Sequence, residues 1–203
     1  MKKVFLLIIV FVFFASCKES KKKDNFKVEV KENLTFTLKK AENKINWIAY
    51  KTTKKVGVKG EFKKVNIVNG GEGKTIREAI NNTEFSIPVS SIFTSNPDRD
   101  SKIKKLFFGV MDNTELLSGR LNIQNDSTGF ANIKMNNITQ KLSFTYTIKD
   151  SVFSMNSVMS LSDWNTSSAL SSLNKACGDL HKGSDGISKT WNEVLINISS
   201  DFK

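Results

Sequence analysis

From Lys44 onward, apolar residues recur at every second position. Ile45, Trp47 and Ala49 lie on one side of a segment whose Asn46 is polar, and Val56, Val58, Gly60 and Phe62 alternate with Lys59, Glu61 and Lys63. The same period runs through Phe85, Ile87 and Val89, through Ala131, Ile133 and Met135, and through Leu142, Phe144, Tyr146 and Ile148. Phe153, Met155 and Met159 follow, and Val194, Ile196 and Ile198 close the chain. A two-residue period puts successive side chains on opposite faces of a strand, so each segment has one dry face and one wet face. With Leu121–Ile123 and a further strand within Val28–Leu38, eight or nine strands are expected. Asn69-Gly70-Gly71, Asp126-Ser127-Thr128-Gly129 and Asn136-Asn137 mark turns between them. Short one-sided strands joined by polar turns predict an all-β fold, an antiparallel barrel or sandwich, rather than βαβ units.

Two segments change period. After Ser95-Asn96-Pro97-Asp98, in which a capping side chain precedes a proline, Ile103, Leu106, Phe107 and Val110 recur at helical spacing, with Gly109 near the end. A second helix is expected from Ser162-Asp163, carrying Trp164, Leu170, Leu173, Cys177 and Leu180 towards one side, with Gly183 as its stop. Helices of this length plug or flank a barrel.

The N-terminus follows different rules. Lys2 and Lys3 precede the apolar run Val4–Phe14, and small Ala15 and Ser16 lead into Cys17. This is the pattern of an export signal. The run would extend about 16 Å as a helix, about half of the roughly 30 Å that a bilayer core requires. Ala15-Ser16-Cys17 resembles the lipobox of bacterial lipoproteins, which implies acylation of Cys17 and attachment to the membrane through it; Phe14 departs from the aliphatic residue usual there. The expected organisation is a signal at residues 1–16, a lipidated basic tether at 17–25, an N-terminal extension with a candidate edge strand at 26–43, and the β-domain at 44–203. The expected address is the bacterial cell envelope, at an outer membrane facing the periplasm, because Lys18 is not the aspartate associated with inner-membrane retention; surface exposure stays open.

The formal net charge is +11, or +9 without Lys2 and Lys3. Between Lys18 and Lys40 there are eight lysines and four acids. These lysines either touch anionic head groups, at roughly 1 kcal/mol each, or serve a solvated spacer. Nucleic acid is not expected as a partner: the lysines are scattered and no aromatic-basic recognition motif accompanies them. The only cysteines are Cys17 and Cys177, so there is no disulfide framework, and a domain of this length can bury a core unaided.

Candidate chemistry is sparse. Gly73-Lys74-Thr75 echoes the end of a phosphate-binding loop, but Val68 stands where that motif needs glycine. Cys177 and the sole histidine, His181, are four residues apart and could approach one metal ion, though such sites generally need further ligands; a buried thiol followed by a histidine at a helix C-terminus is the simpler account. No Gly-x-Ser-x-Gly elbow is present and the carboxylates are scattered, so no catalytic residues are nominated and an enzyme is not expected. Eleven of the fifteen phenylalanines lie beyond the export signal. An eight-stranded barrel is just wide enough to be filled by side chains or to hold one slender ligand.

Ordered similarities bear on that choice. Trp47–Phe62 (WIAYKTTKKVGVKGEF), Ser90–Asp100 (SSIFTSNPDRD), the Phe107-Phe108 pair before Gly109, Leu117–Arg120 and Met135–Leu142 occur in the order and spacing of the YceI-like family, which the chain resembles from about Lys44 to Ser199. Tyr50-Lys51 stand where the common family form carries a histidine, and Leu173–His181 looks like a lipid-anchored subgroup. The resemblance implies a lipocalin-like antiparallel β-barrel with two inserted helices and a cavity for a long apolar lipid. It implies a polyisoprenoid or isoprenoid quinone as the bound molecule, with no cofactor required. The inward candidates are Trp47, Val58, Phe62, Phe85, Ile87, Phe144, Tyr146, Met155 and Ile196, with Phe107 and Phe108 beneath the first helix. Arg99 and Asp100 are expected to pin that helix. A filled barrel acting structurally or on a protein partner is the alternative, and a metal-carrying variant using Cys177 and His181 is a third.

Overall fold

In the computed structural model, residues 35–203 are described. The export signal, Cys17, the tether and the part of the N-terminal extension before residue 35 lie outside them. Twelve strands form among the described residues: β1 (Phe36–Thr37), β2 (Glu42–Lys51), β3 (Val56–Phe62), β4 (Asn66–Asn69), β5 (Glu72–Gly73), β6 (Glu84–Pro88), β7 (Ile92–Phe93), β8 (Leu116–Ile123), β9 (Thr128–Met135), β10 (Ile138–Lys149), β11 (Val152–Ser160) and β12 (Thr190–Asp201). Three α-helices join them: α1 (Ile76–Ile80), α2 (Pro97–Lys102) and α3 (Ser167–Ala176). Ten strands make one antiparallel sheet in the order β4-β6-β8-β9-β10-β11-β12-β2-β3-β7, and β1 pairs separately with β5.

Connectivity alone requires this sheet to curl. β3 and β4 stand ninth and first in the order yet are joined by residues 63–65. Neighbouring strands are about 4.8 Å apart, so a flat sheet would separate these two by nearly 40 Å. Four Cα–Cα steps reach only about 15 Å. The link from β6 to β7, residues 89–91, imposes the same limit between the second and tenth strands. The two links meet where the Lys63 N–H donates to the Ser91 carbonyl at 2.9 Å. The result is a curled half-barrel whose edges, β4 and β7, face each other across an unladdered seam.

Register follows the alternation in the sequence. Leu142, Phe144 and Tyr146 are buried, while Ser143, Thr145 and Thr147 are exposed. Asn136-Asn137 and Asp150-Ser151 all have positive φ, as a two-residue type I′ hairpin requires, and they set the β9–β10 and β10–β11 pairings. Three direct cross-strand pairs place an aromatic ring over a glycine: Trp47 on Gly60, Phe85 on Gly119 and Phe144 on Gly129. In each pair a Cβ on the glycine would come within 2.1, 2.9 and 2.5 Å of the ring, respectively. The absent side chain leaves room for the ring to lie flat on the neighbouring strand.

The helices depart from simple periodicity. Asn96 caps α2 by accepting from the Arg99 N–H at 2.9 Å, with Pro97 at the first helical position. The next turn widens to a π-helix over Ile103–Phe107 and then tightens to a 3₁₀ turn at Phe108–Val110. Successive residues on an α-helix point about 100° apart, and the change of winding lets adjacent Phe107 and Phe108 both be buried while Val110 is left 45% exposed. The second helical segment is broken rather than continuous. A 3₁₀ turn at Leu161–Trp164 ends at Asn165 in the left-handed region, and α3 starts afresh at Ser167. Leu180 therefore lies beyond the helix and is exposed. The short helix α1 was not foreshadowed by periodicity; Thr75 caps it, and Gly73 has no space for a Cβ against Glu78.

The barrel's two ends differ. At one, Tyr146, Phe153, Leu38 and the α1 residues Ile76 and Ile80 are buried together in the core, near the Asp150-Ser151 hairpin and the end of β12. Tyr146 packs against Phe153 with ring centroids 5.2 Å apart, and its hydroxyl donates to the Asn125 carbonyl at 2.6 Å. Phe36 meets Phe202 at the same end, so the described chain begins there. The other end, where Lys51 faces Thr190, is flanked by α2 and α3.

Candidate functional site: an apolar cavity with a cationic mouth

A cavity of ≈ 180 Å³ runs through the middle of the half-barrel, and its walls are almost wholly apolar. Trp47, Phe62, Phe85, Ile87, Met155 and Ile196 line it from five strands, and Phe107 and Phe108 close over it from the π and 3₁₀ turns. Of the residues expected to face inward, Val58 instead lines a second cavity. Phe144 and Tyr146 are buried but are not part of the wall: they are packed into the barrel with Phe153, where β10 approaches its closed end. The cavity is correspondingly shorter than the barrel.

Residues outside that expected set complete the wall. Ile45, Ala49, Val194 and Ile198 share the inward faces of β2 and β12, and Leu170 and Leu173 come from α3. Trp191 is less obvious, because it is out of phase with Val194, Ile196 and Ile198. The register shifts between Thr190 and Val194, where residues 191–193 of β12 stand against Tyr50 alone on β2, and this bulge turns Trp191 towards the cavity. Its indole N–H donates to the Thr52 carbonyl at 2.8 Å.

The second cavity, ≈ 270 Å³, adjoins the first and shares Trp47, Ala49, Ile103, Leu173 and Thr190 with it. Its other walls are polar: Tyr50, Lys51, Asn96, Asp98, Arg99, Lys102 and His181, together with Cys177 and Leu180. Along β2 the two chambers reach from Ile45 to Lys51, about 20 Å of strand. The Lys51 Nζ donates to the Leu180 carbonyl at 2.9 Å, tying the loop after α3 to β2. His181 Nδ1 lies 2.7 Å from Thr190 Oγ1. Burial, followed by the positive charges of Lys51, Arg99 and Lys102, holds the His181 imidazole below its ordinary pKa. Trp47 forms part of both walls, and its buried Nε1–H has no acceptor among the described residues.

Arg99 and Asp100 play different parts, as consecutive helical residues must. Asp100 is buried and accepts from the Thr94 N–H at 2.9 Å and the Thr94 hydroxyl at 2.6 Å, fixing α2 to the segment before it. Arg99 faces the second chamber. Cys177 is a buried free thiol beside His181 in that chamber, and among the described residues no three His, Cys, Asp or Glu side chains cluster as a metal site. Besides the Cys177 thiol and the His181 imidazole, the chamber wall carries the Asp98 carboxylate and the cations Lys51, Arg99 and Lys102.

A family model described as a YceI-like domain matches residues 36–202. The chain belongs to the YceI-like family. Among solved structures, this YceI-like chain is similar to a polyisoprenoid binding domain from Saccharophagus degradans implicated in plant cell wall breakdown. The identity is 9% and the TM-score 0.55, over 79% of this chain and 94% of that one. Burkholderia cenocepacia BcnA aligns at 12% identity and a TM-score of 0.49, over 81% and 98% of the two chains. The Campylobacter jejuni YceI protein aligns at 19% and 0.43, over 70% and 85%. A search of curated proteins finds no match. The likeness to the Saccharophagus domain is one of fold, and it places this YceI-like chain among curled antiparallel sheets with few short helices.

Proposed function

We propose that this protein is a non-enzymatic, lipid-anchored envelope protein that holds a long apolar amphiphile, a polyisoprenoid or an isoprenoid quinone, in the half-barrel. The observation that carries this reading is the junction of two chambers of opposite character: an apolar interior opens into a mouth bearing Lys51, Arg99 and Lys102. A slender tail gains roughly 0.8 kcal/mol for each methylene-sized unit it buries. The mouth suits a head rich in hydrogen-bond acceptors, and a head oxygen at the junction would satisfy the Trp47 Nε1–H, whose isolation is otherwise costly. The polyisoprenoid named for the Saccharophagus relative supports the same ligand class here. Acylated Cys17 supplies the anchor in this reading, and the envelope facing the periplasm is its setting.

Organic extraction of natively purified protein, analysed by mass spectrometry, tests the proposal. A stoichiometric isoprenoid is expected. Titration of lipid-stripped full chain with an isoprenoid quinone should quench tryptophan emission, because Trp47 and Trp191 line the cavity. Absence of co-purified lipid together with no quenching would instead establish a filled structural or partner-binding barrel.

A further inference from the structure

The mouth is surrounded by a surface that the ligand cavity itself does not use. The loop between α3 and β12 folds back on itself, with the Gly183 N–H donating to the Ile187 carbonyl at 3.0 Å and Lys182 bridging to Ser188. It is clamped to the β2–β3 hairpin by the Thr53 hydroxyl donating to Asp185 at 2.6 Å and by the Thr52 N–H donating to the Lys189 carbonyl at 2.9 Å. This rim carries two of the most exposed large apolar side chains among the described residues, Leu180 at 61% and Ile187 at 57%. Exposed Lys54, Lys175 and Lys189 accompany them; none of the three has an ion-pair partner among the described residues, and the Lys189 ammonium lies over the Trp191 ring, 3.7 Å from its centroid. Of the nearby acids, Asp179 is paired with Lys182 and Glu193 with Lys55, while Asp185 accepts from Thr53 and feels the charge of Lys54.

We propose that this rim docks on a bilayer surface containing anionic lipid, so that the mouth opens directly onto the membrane. Apolar tips among unpaired lysines match an interface in which acyl chains lie beneath negative head groups. The length of the N-terminal segment permits the geometry. The described chain begins at the closed end, so a mouth-down barrel needs a connection from Cys17 that runs its full height. From Glu42 to Lys51, β2 measures about 30 Å, and strand tilt lowers the height to about 23 Å. Eighteen residue steps separate Cys17 from Thr35, a reach of at most about 60 Å. The docking surface is independent of which amphiphile the cavity takes.

The test places an indole at the rim with Ile187→Trp in the full acylated chain, reconstituted on vesicles that contain lipids brominated along the acyl chain. The parent protein gives the background of Trp47, Trp164 and Trp191. In vesicles of phosphatidylcholine mixed with phosphatidylglycerol, the introduced indole should shift to the blue and be quenched, and salt should weaken both effects. In phosphatidylcholine alone neither should occur. Adding Lys54→Glu, Lys175→Glu and Lys189→Glu should lower the ratio of docked to free rims by at least about a hundredfold, since each lysine lost is worth roughly a factor of five near an anionic surface. Deleting residues 18–29 shortens the reach to about 20 Å and should abolish quenching, whereas replacing them with Gly and Ser at equal length should preserve it. Equal quenching on neutral vesicles, quenching unchanged by charge reversal, or none on either vesicle would overturn the proposal; the last result, with the unlabelled rim instead retaining a protein, would assign the surface to a protein partner. Quinone binding to the same variants in solution reports on the cavity alone, so failure of docking and failure of the ligand assignment are read separately.

Discussion

The pairing of Trp47 with Gly60 makes a sharp test of what shapes the cavity wall. In Gly60→Ala, the new methyl would sit 2.1 Å from Cζ2 of Trp47 and 2.5 and 2.6 Å from Cε2 and Cη2. Ordinary contact begins at 3.4 Å, so ring or strand must yield by about 1.3 Å at the nearest atom. The indole is only 7% exposed, and the free space beside it is the cavity. Overpacking of this kind costs about 1–3 kcal/mol, of which alanine's smaller unfolded-state entropy offsets about 0.4–1 kcal/mol. The expected net loss is about 1–2 kcal/mol, or a fall in Tm of roughly 3–6 °C for a chain of this size. Urea unfolding of the full chain, followed by circular dichroism, gives the magnitude. Repeating it in a Trp47→Ala background removes the obstacle, so Gly60→Ala should there become neutral or slightly stabilising, with a coupling of about 1–3 kcal/mol. An equal loss in both backgrounds would show that glycine serves the strand and not the ring, and the reasoning would fail. Quinone quenching should also weaken in Gly60→Ala, because the displaced indole occupies space meant for the tail.

Three other outcomes are expected. Phe153→Ala, at a side chain 1% exposed, should cost about 3–5 kcal/mol in urea unfolding while leaving the lined cavity intact. Asp100→Ala removes the carboxylate oxygen that accepts from both the N–H and the hydroxyl of Thr94 and should cost about 1–3 kcal/mol, with amide exchange rising first in residues 94–102. His181 has a lowered native pKa, in a chamber that also presents Lys51, Arg99, Lys102 and Asp98. As pH falls through about 6.5 the unfolded chain takes up this proton before the native one, so native stability drops below that pH and is unaffected by this group above it. Unfolding midpoints between about pH 5 and 8 should show a shallower acid-side decline in His181→Gln; parallel curves would exclude the imidazole as the cause.

Much of the architecture was legible because strand faces impose a period that composition cannot imitate. β9, β10 and β11 could be read almost residue by residue, and their inward faces are the buried ones except at Ile148, expected on the dry face of β10 but 39% exposed near its end. What escaped depends on contacts between distant segments or on local changes of winding. The bulge that turns Trp191 inward breaks the alternation on which the reading relied. The π-turn likewise breaks the helical spacing and leaves Val110 exposed. Whether Phe144 and Tyr146 would line a space or fill it was undecidable from parity, since both outcomes bury the same face. The polar chamber gave no single motif: Lys51 on β2, Arg99 and Lys102 on α2, and His181 beyond α3 become neighbours only in the fold. Gly60, Gly119 and Gly129 have no side chain for periodicity to register, and only their partners across the sheet show each to be the floor under a ring.

The unladdered seam between β4 and β7 sets the mechanical character of the container. A fully hydrogen-bonded barrel has a fixed circumference, and widening it means breaking a ladder. Here the two edges can part or approach while every ladder between the ten strands stays intact, with residues 63–65 and 89–91 acting as short straps across the gap. The girth is elastic, but the straps cap it at their own extended length. In the proposed role, such a vessel would widen around branched tails while the packed end keeps its depth constant, and would sort them by length far more strictly than by width.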